Sequence, residues 1–176
     1  MSNRAKFIAY TSLFTALVAV ATIVIVIPIP GTQGFVNFGD IIILSVALAY
    51  GGIPALVAGG IGSALADIMA GYSIWAPFTL FIKGLEGYVA YIVYAKVFRR
   101  SLSAKTISDK LQWQGGLALA AGALVMVIGY YLASVIVIGS FSGALASIPS
   151  NLLQGFASAI VAYILVFVVK IGKFFK

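Results

Sequence analysis

The chain has 176 residues, 62% of them hydrophobic and 9% charged, with a mean hydropathy of +1.14 and a net charge of +7. Soluble domains carry about 25% charged residues, so this composition excludes a soluble globular domain and describes a single integral membrane domain over residues 1–176. There is no cysteine and no histidine, and the carboxylates are only Asp40, Asp67, Glu86 and Asp109, which excludes disulfides, thiolate or imidazole metal sites and the commonest acid–base catalyst, so no enzymatic role is expected.

The apolar runs predict an all-α membrane protein with six transmembrane helices. The first, about 7–29, follows Arg4 and Lys6 and ends at "IPIPG". It is longer than the 7–15-residue core of a secretory signal, so it reads as a span. The second and third, about 40–53 and 54–71, meet at "YGGIPAL", where Gly51, Gly52 and Pro54 break the helix. Along the third, Ala55, Gly59, Ser63, Asp67 and Gly71 recur every four residues, a stripe of small side chains suited to close helix packing. "GGIGSALA" looks like a phosphate loop, but G-x-G-x-x-G fails at Leu65 and no G-x-x-x-x-G-K-[ST] occurs. The fourth run, about 75–98, carries Lys83 and Glu86 inside it; the fifth covers about 115–138 and the sixth about 144–170.

Six spans place both termini on one side, with the turn at 51–54 and the loop at 99–114. Arg4, Lys6, Lys96, Arg99, Arg100, Lys105, Lys110, Lys170, Lys173 and Lys176 all fall there, and of eleven basic residues only Lys83 lies elsewhere. The positive-inside rule then predicts cytoplasmic termini for a multi-pass membrane protein. The basic residues are accounted for by topology and membrane lipid, so no nucleic acid is expected as a partner.

With that orientation the buried polar groups have a depth. Lys83 lies eight residues and Glu86 eleven residues past Trp75, roughly 12 and 16 Å into the membrane at about 1.5 Å per residue. Asp67 ends the third span, Asp40 opens the second, and Asn151 and Gln154 lie equally deep in the sixth. All six fall in the outer half. A charge at a helix centre costs about 2.5–3.5 kcal/mol, so the cluster has a purpose: either a buried ion pair between helices or a ligand pocket, to which polar groups from four spans contribute. Phe35, Phe38, Tyr72, Trp75 and Phe78 lie in or beside the outer loops, either as an interfacial aromatic belt or as a cap over a flat ring.

"NFGDIIILSVALAYGG" and "GGIGSALADIMAGYSIWAPFTLFIKGLEG" resemble the S components of energy-coupling factor (ECF) vitamin transporters, in the riboflavin-transporter-like branch that includes hydroxymethylpyrimidine and pyridoxine carriers. The likeness covers about residues 8–165 and is most specific at 37–88, in Gly39–Asp40, the "SALAD" around Asp67 and the segment around Lys83. It implies a membrane-embedded, high-affinity binding subunit that captures a vitamin or precursor from outside. The subunit works with a transmembrane T component and two cytoplasmic ATPase subunits, which use the ATP and Mg²⁺; no cofactor is implied for this chain. By the resemblance, Lys83 and Glu86 face ligand, with Asp40, Asp67, Asn151, Gln154, Tyr72, Trp75 and Phe78 as further substrate-binding candidates. Asp40 and Asp67 are alternatively there to orient Lys83. The family docks its T component through an A-x-x-x-A pattern on the first helix, whose counterpart here is Ser12 and Ala16, with Thr15 and Ala19 one position round. Pyridoxine or hydroxymethylpyrimidine is the first expectation for the substrate, with riboflavin or another vitamin behind. The competing reading is an ion-gradient-coupled secondary transporter, since intramembrane carboxylates serve such coupling.

Overall fold

The computed structural model describes residues 2–28, 35–98 and 107–175, with side chains described outside 96–98, 107–112 and 174–175. Arg99, Arg100 and Lys105, on which part of the charge asymmetry rests, lie outside the described residues.

Six long helical segments form the described structure. α1 (Asn3–Val24) starts at Ser2, whose hydroxyl accepts a hydrogen bond from the Ala5 N–H. It stops five residues short of the predicted end. Pro28 disfavours the α conformation at Ile27, and Ile27–Pro28 (β1) instead pairs antiparallel with Phe35–Val36 (β2), Ile27 opposite Val36. α2 (Gly39–Ala49) ends four residues before the predicted boundary. There Gly51, at φ 140°, turns the chain straight into α3 (Gly52–Met69). α3 includes a π-helical turn, Ala58–Gly62. α4 (Ala76–Ile92) continues as a π-helical stretch, Val93–Phe98. α5 (Ile107–Ile138) begins two turns earlier than predicted, and α6 (Phe141–Val168) enters three residues earlier through a short 3₁₀ stretch, Leu145–Ser147.

α1, α3, α6 and the Trp113–Ile138 part of α5 are long and apolar enough to cross a membrane. α2 has 11 residues, about 16 Å at 1.5 Å per residue against a hydrocarbon core of about 30 Å. It is the central element, touching α1, α3, α4 and α6. That position explains its composition: Gly39, Asp40, Ile43, Leu44, Ser45, Val46 and Ala47 are all buried, so its apolar residues occur on every side. The outer helices instead bury one stripe each, such as Thr11, Phe14, Val18 and Thr22 on α1. Their opposite faces expose large apolar side chains, among them Leu13, Leu17, Phe81, Ile136 and Phe156, as a lipid-facing surface requires.

Small residues set the helix spacing. A Cβ on Gly59 would lie 2.5 Å from the Lys83 carbonyl oxygen, and one on Gly60 would lie 2.6 Å from that of Leu80. The stripe read on α3 is therefore a contact surface for α4. One apolar cluster, including Phe14, Val18, Ile43, Leu44 and Leu119, fills the end nearer the termini. A second, around Trp75, Ile82, Met126 and Val127, joins α4 to α5 at the opposite end, where the hairpin lies.

Candidate functional site

A cavity of about 550 Å³, its open mouth included, lies at the hairpin end. Each wall has a helical origin. α4 brings Thr79, with Trp75 just before its first turn; α5 brings Tyr130, Ser134 and Ile138 at four-residue spacing; α6 brings Ser147, Asn151 and Gln154 from one face. Asp67 comes from the last turn of α3, and Phe35 and Asn37 come from the hairpin and the residues after it. Hydroxyl, amide, carboxylate and indole groups thus face a space with aromatic walls, the mixture expected of a small-molecule site. The Thr79 hydroxyl and the Tyr130 hydroxyl are 3.0 Å apart and share a hydrogen bond. The Trp75 ring packs 6.2 Å from that of Tyr130 and 6.5 Å from that of Phe78.

Below the cavity lies a buried polar network. Lys83 is four residues after Thr79 on the same face of α4, about 6 Å deeper along the axis. Its ammonium donates to Asp40 Oδ1 and forms an ion pair with Glu86 Oε2 at 3.3 Å. Gln154 Nε2 donates to Asp40 Oδ2 at 2.7 Å, while Gln154 Oε1 accepts from the Asn37 backbone N–H at 3.0 Å. Asn37 Oδ1 in turn accepts from the Gly39 N–H at 2.9 Å, ordering the start of α2. Asp40 sits in the first turn of α2, where the helix dipole favours a negative charge. A Cβ on Gly39 would fall 2.3 Å from Thr22 Oγ1 on α1, so glycine here lets α2 sit close against α1. Lys83, Asp40 and Glu86 are 1%, 0% and 0% exposed, so this is a desolvated assembly tying α2, α4 and α6 to the residues that line the cavity.

The predicted site residues therefore divide into two layers. Asp67, Trp75, Asn151 and Gln154 line the cavity, whereas Asp40, Lys83 and Glu86 form the layer beneath it and are not among its lining residues. Gln154 belongs to both. Tyr72 and Phe78 stand behind the lining: Tyr72 packs 4.6 Å from Phe35, and Phe78 packs against Trp75. Ser12 and Ala16 lie on the exposed face of α1, away from its buried stripe, with Thr15 and Ala19 half-buried at its edge. Asn37, Thr79, Tyr130, Ser134 and Ser147 also line the cavity and were not singled out from the sequence. Helical spacing would have found some of them. Thr79 shares a face with Lys83, and Ser147, Asn151 and Gln154 recur at i, i+4 and i+7.

The sequence matches the family described as ECF-type riboflavin transporter, S component, over residues 2–171. It is 38% identical over 144 residues to a Pyrococcus woesei protein described only as an uncharacterized protein in the gap 3′ region, covering 82% of this chain and 88% of that one. It is 27% identical over 161 residues to the thiamine precursor transporter HmpT of Lactococcus lactis subsp. cremoris, covering 91% of this chain and 85% of that protein. The chain belongs to the ECF-type riboflavin transporter S-component family, and is a multi-pass membrane transport protein of the vitamin-uptake kind.

Proposed function

We propose that this S-component protein is the high-affinity substrate-binding subunit of an ATP-driven ECF importer in a prokaryotic cell membrane. It spans the membrane six times with cytoplasmic termini, and its cavity opens outward. The enclosed α2 meets the length of the bilayer only as part of the bundle, shielded from lipid by its neighbours. The observation that carries the reading is the polar, aromatic-walled cavity at the hairpin end, closed below by the Asp40–Lys83–Glu86 layer and then by the apolar cluster around Phe14, Ile43 and Leu119. Among the described residues, an apolar cluster that includes Phe14, Val18, Ile43, Leu44 and Leu119 then lies between the ligand and the other end of the bundle. Delivery then requires the whole subunit to move, which fits a chain without a nucleotide motif working beside a T component and two ATPase subunits. Ser12 and Ala16, exposed on α1, are the proposed T-component contact.

The substrate is a small hydroxylated nitrogen heterocycle, with hydroxymethylpyrimidine or pyridoxine as first candidates. Similarity to a thiamine precursor transporter favours the pyrimidine. Two measurements test this. Small molecules released on denaturing the purified protein are identified by mass spectrometry, and uptake of labelled vitamins is followed in proteoliposomes with and without the T component and ATPases. The proposal expects a bound vitamin-like heterocycle and uptake only with partners and ATP. Uptake by this chain alone, driven by an ion gradient and abolished by an uncoupler, would refute it.

A further inference from the structure

Two polar atoms on the cavity-lining side chains have no hydrogen-bond partner in the protein: Asp67 Oδ2 and Trp75 Nε1, on residues only 4% and 6% exposed. A carboxylate oxygen requires an N–H or O–H donor, and an indole N–H requires an acceptor. Buried polar groups are nearly always paired in native proteins, so this pair points to a partner that brings one donor and one acceptor. The other observation is charge. Among the described lining residues Asp67 is the charged one and none is basic. Lys83 is turned to Asp40 and Glu86 beneath the cavity.

Building on the transport reading, we infer that the cavity selects the dephosphorylated form of an aromatic nitrogen heterocycle. Asp67 Oδ2 accepts from its amino or hydroxyl donor, Trp75 Nε1 donates to its ring nitrogen or carbonyl, and phosphate esters and carboxylates are rejected. Burying an anion beside Asp67, with no cation on the lining to pair it, combines desolvation with like-charge repulsion. A site built to hydrogen-bond a donor also discriminates strongly against the analogue lacking it, because its own polar atom is then left unpaired.

The test is calorimetric titration of the purified full-length protein in detergent. The probes are 4-amino-5-hydroxymethyl-2-methylpyrimidine, its monophosphate, the analogue with hydrogen in place of the amino group, and pyridoxine with its 5′-phosphate as a second matched pair. The expected result is binding of an unphosphorylated compound with its ester weaker by about 100-fold or more, a difference of about 2.7 kcal/mol. Asp67→Asn weakens the amino compound about tenfold or more while leaving the des-amino analogue within about threefold. Trp75→Phe keeps an aromatic ring in the packed cluster, removes the indole N–H and weakens the parent compound about tenfold or more, which keeps the inference testable should the Asp67 variant fold poorly. An ester that binds as tightly as its parent, or an Asp67→Asn effect equal for both analogues, overturns it. A phosphate- or carboxylate-bearing vitamin that binds where neutral heterocycles do not overturns the inference and leaves the transport reading standing. Absence of binding by any vitamin overturns both.

Discussion

Lys83→Met isolates the role of the buried charge layer. Methionine keeps an unbranched stem but removes the ammonium that stands between Asp40 and Glu86, leaving two carboxylates at 0% exposure. Asp40 would retain the Gln154 donor at 2.7 Å, whereas Glu86 would retain nothing, since neither of its oxygens has a hydrogen-bond partner and its pairing with Lys83 is an ion contact. Removing one member of a buried ion pair costs about 3–5 kcal/mol, equivalent to a loss of about 6–20 °C in melting temperature for a chain of this size. Replacing the entire set with neutral groups, as in D40N/K83M/E86Q, removes the uncompensated charge and is expected to recover most of the loss, because neutral substitution of a buried ion pair is often neutral or stabilising. The assay is thermal unfolding of the detergent-solubilised protein, followed by size-exclusion fluorescence. Because Lys83 does not line the cavity, Lys83→Met protein kept below its melting temperature is expected to hold ligand within about fivefold of wild type, or about 1 kcal/mol. A Lys83→Met protein as stable as wild type, or a triple variant less stable than the single one, refutes a structural layer. Abolished binding with unchanged stability would return Lys83 to the ligand.

Gln154→Leu removes both the amide donor to Asp40 and the acceptor for the Asn37 N–H; weaker ligand binding by about 1–3 kcal/mol is expected, with faster hydrogen exchange at Asn37 as the distinguishing signal. Gly59→Val, whose Cβ would sit 2.5 Å from the Lys83 carbonyl oxygen, should force α3 from α4 and lower the yield of monodisperse protein, with a cost above about 2 kcal/mol in unfolding assays; near-normal stability would show that the two helices can separate freely. Trp75 lines the cavity while Trp113 is 57% exposed, so ligand-dependent quenching of tryptophan fluorescence should survive Trp113→Phe and vanish in Trp75→Phe. Ala16→Trp places a bulky side chain on the exposed face of α1 and should leave ligand binding by the isolated subunit unchanged while abolishing partner-dependent uptake; normal uptake would place the T-component contact elsewhere.

The helical architecture was readable because two strong signals agree along this chain. Long apolar runs give the helices, and Gly and Pro clusters such as "IPIPG" and "YGGIPAL" give their ends. The discrepancies arise where a neighbour, not the local sequence, sets the boundary. Ile25–Pro28 has the apolarity of a continuing helix, yet its partner strand, Phe35–Val36, is seven residues further on, and strand pairing is invisible to a helical hydropathy count. The brevity of α2 was similarly hidden, because an enclosed helix and a lipid-spanning one have the same composition.

Depth and direction are separate coordinates, and the sequence carries mainly the first. Counting residues from Trp75 gives Lys83 and Glu86 a distance along the helix but leaves open which neighbour their helix face meets. The structure resolves this through α2: a Cβ on Gly87 of α4 would lie 2.8 Å from Ile43 Cγ2 on α2, a close approach that lets Asp40 reach Lys83, and Gln154 closes the set from α6. Once Lys83 is held by two carboxylates, its charge cannot also serve as a free anchor for an anionic ligand in the space above. Asp67, in the layer above, is the contrasting case, with an oxygen unpartnered and its side chain on the cavity wall. Partnership therefore separates the residues that hold this bundle together from those still open to a ligand, where burial and charge alone group them.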